Sequence, residues 1–104
     1  MKYRSRVEII AEILRSAEEG ASKSTLNYAA YLSHAQLMGY LEPLLEKRLL
    51  SFDKNTQHYW LTLRGQEFLE AFDQINDVLL AFHPTAEEEE ISPAIQRQRR
   101  TRSN

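Results

Sequence analysis

Ser33, His34 and Gln36 stand within one turn of a helix start, and their side chains suggest recognition rather than bond-making. A glutamine amide carries a donor beside an acceptor, a pair that matches the edge of adenine. A serine hydroxyl or imidazole at a helix N-terminus can reach a phosphate. The residues that would support catalysis are poorly arranged. His34, His58 and His83 fall on separate segments with no ligand spacing. Glu18–Glu19 and Glu87–Glu90 read as solvated runs with no partner to tune a carboxyl for acid–base work. The chain has 3 glycines and no cysteine, which excludes a glycine-rich phosphate loop, thiolate chemistry and disulfides. The expectation is a protein without catalytic residues, cofactor or metal.

The elements that must hold these groups follow from hydrophobic spacing. Ser5-Arg6-Val7-Glu8 reads as a capping box. Val7, Ile10, Ala11, Leu14 and Ala17, widened by Ile9 and Ile13, then form the apolar stripe of a first helix over about residues 6–18, stopped by Gly20. Ser22 or Ser24 can cap a short second helix with Leu26, Ala29 and Ala30 inward. Tyr31-Leu32 is a turn. Ser33 caps a third helix, 33–47, with Leu37, Leu41, Leu44 and Leu45 buried and Ala35, Gln36, Gly39, Tyr40, Pro43 and Lys47 outward. Pro43 removes the amide that would bond the Gly39 carbonyl, at a cost of about 3 kcal/mol in a helix interior, and predicts a kink there. The polar "DKNTQ" between Leu49–Phe52 and His58–Thr62 indicates a hairpin. Thr62 caps a last helix, 63–82.

At 104 residues the chain is expected to form one small domain with appendages. From His83 onward apolar residues almost vanish, and 83–104 is expected to be a disordered charged tail. Formal charge is −2, and residues 1–82 carry all of it, with 11 acids against 9 bases. Bulk charge alone therefore does not announce a nucleic-acid binder. No apolar run approaches the roughly 18–20 residues of a membrane span, and the N-terminus lacks a signal-peptide pattern. A reducing, cytoplasmic setting fits.

Three helices, a hairpin and a long last helix, in that order, are the layout of a winged helix-turn-helix: mainly α, with a small β-hairpin as the wing. The motifs Lys23-Ser24, Leu26, Tyr28, Leu32-Ser33, Gln36-Leu37, Tyr40-Leu41, Leu44 to Lys47, then Thr62, Gly65 and Phe68-Leu69 resemble those of the archaeal winged-helix family over about residues 4–82. That family runs from small transcriptional regulators to dimeric chromatin-associated proteins. Three features depart from its pattern, one of them Pro43 within the third helix. Ala35, Met38 and Gly39 stand where lysines are common, and Arg48 stands where a glycine usually closes the third helix.

The resemblance implies a cytoplasmic, nucleoid-associated regulator of transcription. Its helix 33–47 would enter the major groove of double-stranded DNA and its wing, 49–62, would touch the backbone. The expected contacts are Lys23, Ser24, Asn27, Ser33, His34, Gln36, Tyr40, Lys54 and Asn55. In the last helix Phe68, Phe72, Ile75, Leu79 and Phe82 step by 4, 3, 4 and 3, the 3.5-residue period of a coiled-coil seam. Residues 1–62 would then be the winged domain, and 63–82 would complete the core and form a homodimer through Phe72, Ile75, Leu79 and Phe82. Two alternatives stand beside this reading. One is a winged-helix module that binds protein through Tyr40, Met38 and the uncharged helix face. The other is an architectural chromatin protein with little sequence preference.

Overall fold

The structure, a computed structural model, describes residues 4–82. In chain order it contains α1 (Arg6–Ser16), α2 (Lys23–Ala30), α3 (His34–Glu46), β1 (Leu50–Asp53), β2 (His58–Leu61) and α4 (Leu63–Leu80). The chain divides into two compact units, 1–74 and 75–104, and α4 begins in the first and ends in the second. The tail 83–104 lies outside the described residues.

Local chemistry sets the helix ends. The capping box at Ser5 and Glu8 forms in both directions, at 3.2 and 2.9 Å. Ser22 caps α2, its hydroxyl accepting from the Thr25 amide. α3 has a second capping box: the Ser33 hydroxyl accepts from the Gln36 amide at 3.1 Å, and the Gln36 side-chain oxygen accepts from the Ser33 amide at 2.9 Å. α2 and α3 close in the same way, on a residue of left-handed backbone. Tyr31 (φ 53°) lets the Leu32 amide bond the Asn27 carbonyl. Arg48 (φ 65°) lets the Leu49 amide bond that of Leu44. Thr62 starts α4 by accepting from the Gly65 amide at 3.0 Å, while its own hydroxyl donates to the Arg48 carbonyl at 2.7 Å.

The core of the first unit is built from Ile13 and Leu14 of α1, Leu26 of α2, Leu37 and Leu41 of α3, and Leu50, Tyr59 and Leu69 from the wing and α4. The antiparallel wing pairs Leu50 with Leu61 and Asp53 with His58. Ala21 bridges to Tyr59 through two backbone bonds of 3.0 and 2.8 Å, which lays the α1–α2 connection alongside β2. Gly20 makes that approach possible. Its φ is +86°, and a methyl there would sit 2.6 Å from the Trp60 ring. Gly65 is the second close approach, because a side chain there would strike the Leu49 carbonyl and Leu61.

Several expected details differ. α1 stops at Ser16, because the Ala17 carbonyl accepts from the Leu61 amide at 2.9 Å and the chain turns toward the wing. Val7 is exposed, since the stripe of α1 narrows at its first turn, and Leu45 and Ala29 are only half-buried. α3, by contrast, runs through Pro43 to Glu46, within one residue of the expected 33–47, and the Lys47 amide bonds the Pro43 carbonyl at 2.9 Å. Gly39 and Pro43 both lie on the exposed face, so water can serve the carbonyl that the proline leaves free.

Candidate nucleic-acid interface

The α2–α3 corner brings most of the expected polar contacts together. Lys23, Ser24, Asn27, Tyr28, Leu32 and His34 line one shallow groove of about 550 Å³. The start of α2 and the start of α3 therefore share a surface. Lys23, Ser24 and His34 are exposed on it.

Two of the expected readers are already partly engaged. Asn27 is half-buried, and its side-chain amide donates to the Leu32 carbonyl at 2.8 Å, so it holds the turn. Gln36 uses its oxygen in the α3 capping box, which leaves its NH2 group as the free donor. Its bidentate reading of adenine must then rely on the oxygen's second lone pair. Arg4 is engaged as well. Its guanidinium pairs with Glu12 and donates to the Ala30 carbonyl at 2.6 Å, tying the N-terminal arm to the end of α2.

Tyr40 is half-buried, packed against the core. It lines a second groove of about 530 Å³ with Arg6, Ile10, Gln36 and Pro43. Met38 is also half-buried against the core, so it is not on the free face of α3. That face also includes Glu42 and Glu46, beyond the outward residues expected from spacing. The second half of α3 is thus acidic, and only its first half can approach a polyanion without repulsion.

The wing tip is a four-residue loop, 54–57, closed by the Gln57 amide on the Asp53 carbonyl at 2.7 Å. The Asp53 carboxylate accepts from the Asn55 amide at 3.0 Å, and Lys54 and Asn55 are exposed.

Charge follows the same division. Residues 20–41 hold no acid over 22 positions, and residues 54–66 hold none over 13, in a chain with 15 acids. The first stretch covers α2 and the first half of α3; the second covers the wing loop, β2 and the start of α4. This gap in acidity, rather than an excess of base, distinguishes these elements. A count of acid-free windows along the sequence would have found it.

Elsewhere in the unit, the Arg15 guanidinium hydrogen-bonds Asp73 at 2.8 Å. That bond holds the Asp73 carboxyl below its usual range and raises Arg15 in turn. Burial pushes the Tyr59 phenol above its ordinary value. Among the described residues no cluster of histidine and carboxylate side chains could hold a metal ion, and no helix is long and apolar enough to cross a membrane.

The winged helix-turn-helix family profile matches residues 3–80. The chain belongs to the winged helix-turn-helix family. Among solved structures, Sso10a-2, described as a DNA-binding protein from Sulfolobus solfataricus, is similar to this winged helix-turn-helix chain. Its TM-score is 0.64 at 23% identity, over 88% of this chain and 97% of that one. No curated protein matches. In family terms α2 and α3 are the helix-turn-helix and the β1–β2 hairpin is the wing.

Of the residues expected to form a dimer seam, Phe72 is half-buried against the core of its own unit. Ile75, Leu79 and Phe82 are exposed at 61, 60 and 73%, as are Val78 and Leu80.

Proposed function

We propose that this winged-helix protein is a homodimeric DNA-binding regulator of transcription. The first half of α3 enters the major groove, led by Ser33, His34 and Gln36. Lys23 and Ser24 on α2, and Lys54 and Asn55 on the wing, hold the flanking phosphates. The carrying observation is the coincidence of the two acid-free stretches with the elements that face DNA in this fold. The solved neighbour's description as DNA-binding supports the same reading. Copies pair through Ile75, Val78, Leu79 and Phe82, because so many large apolar side chains at one helix end are seldom left in water.

Affinity is expected to be modest. Lys23 and Lys54 from both copies would neutralise about four phosphates, giving a slope of log K against log salt of about −3.6. A random-duplex selection at two salt concentrations tests the reading: an enriched motif with that slope supports it, and no duplex bound in dilute buffer overturns it. A protein-binding role is the second reading, favoured by the groove beside Tyr40 and by the acids Glu42 and Glu46 on α3. In that case the chain would ignore duplexes at every salt concentration.

A further inference from the structure

Among the described residues of the first unit, Tyr28 and Tyr31 are the most exposed aromatic side chains, at 81 and 80% exposure. They are 6.4 Å apart between ring centroids, tilted by 39°. Neither has a role in the duplex reading. Tyr31 also holds a left-handed backbone, φ 53°, a conformation that glycine or asparagine takes with less strain at a helix end. The surroundings define a chemistry. Tyr28 lines the groove with Lys23, Ser24, Asn27 and His34, inside the 22-residue stretch that carries no acid. That surface combines flat aromatic faces, a cation, a hydroxyl and an absence of anions.

A B-form duplex offers phosphates to the cation but no base face to the rings, since its bases are stacked. An unpaired strand offers both. Both rings are exposed and their centroids lie 6.4 Å apart, so each can offer a face to a neighbouring base of one unpaired strand.

We propose that the α2–α3 corner is a stacking site for unpaired bases, so that the protein binds single-stranded nucleic acid through Tyr28 and Tyr31 with Lys23 at the phosphate. This does not require α3 to enter a groove.

The test is fluorescence anisotropy of the full chain at low salt with labelled oligothymidylate, oligouridylate and a blunt duplex. The two single strands separate DNA from RNA as the source of the bases. Wild type is expected to bind at least one of them. Tyr28→Ala and Tyr31→Gly should each weaken that binding about tenfold or more, with duplex binding changed less than twofold. Tyr28→Phe and Tyr31→Phe should retain it, because stacking needs the ring and not the hydroxyl. Tyr31→Gly relaxes the left-handed backbone, so it removes the ring without endangering the fold, and circular dichroism checks this. The proposal is overturned if wild type binds neither single strand, if ring removal leaves single-strand affinity unchanged, or if duplex affinity falls in parallel. Binding of a single strand without binding of any duplex would sustain this site and remove the duplex reading.

Discussion

Arg48 sits in left-handed backbone at the end of α3, where its amide and that of Leu49 close the helix on Leu45 and Leu44. A non-glycine residue in this conformation is strained by roughly 1–2 kcal/mol. Arg48→Gly is expected to stabilise the domain by about 0.5–1 kcal/mol, read as a higher urea midpoint with unchanged slope. The Arg15–Asp73 pair ties stability to pH. Asp73 titrates below its unfolded value, so the pair's contribution is complete above the ordinary aspartate range, about 3.9, and is lost as pH falls through the depressed folded value. The midpoint difference between wild type and Asp73→Asn should be present at neutral pH and vanish in acid. Because both side chains are about half exposed, added salt should shrink it.

At the scale of the element, α3 combines features that pull in different directions. Its capping box fixes the first turn and presents Gln36's free NH2 outward, while Pro43 breaks one backbone bond on the exposed face. Pro43→Ala restores that bond and is expected to stabilise by on the order of 1–3 kcal/mol. Thermal unfolding of the variant against wild type checks it. The wing depends on close backbone approach instead. Gly65→Ala would drive a methyl into the Leu49 carbonyl and Leu61, so a loss of several kcal/mol or failure to fold is expected, seen as a collapsed unfolding transition.

For the whole molecule, the proposed pairing through the exposed end of α4 makes a separable prediction. Leu79 is exposed, so Leu79→Glu should leave the domain's unfolding intact while abolishing pairing. Light scattering should then report a monomer, and duplex affinity should fall toward that of a single half-site. A variant that stays dimeric would place the pairing surface elsewhere. The net charge of −2 conceals a division that matters more than the total: no acid falls within residues 20–41 or 54–66, the stretches proposed to meet DNA.

Element order, the helix starts at Ser5 and Ser33, the hairpin and the inward Leu37, Leu41 and Leu44 of α3 were legible along the chain, whereas the choice between Ser22 and Ser24 and the half-exposure of Leu45 were not. The legible features rest on near neighbours: a cap acts over three residues, and an apolar stripe repeats every three or four. Which polar side chains are free to act depends instead on long-range packing. Arg4 is claimed by the carbonyl of Ala30, 26 positions away, and Thr62 by that of Arg48, 14 positions away. Asn27 is drawn into the turn, and Tyr40 and Phe72 are partly covered by the core, while Tyr28 and Tyr31 are left bare. A side chain's availability depends on what the fold brings beside it, and no spacing along the chain encodes that.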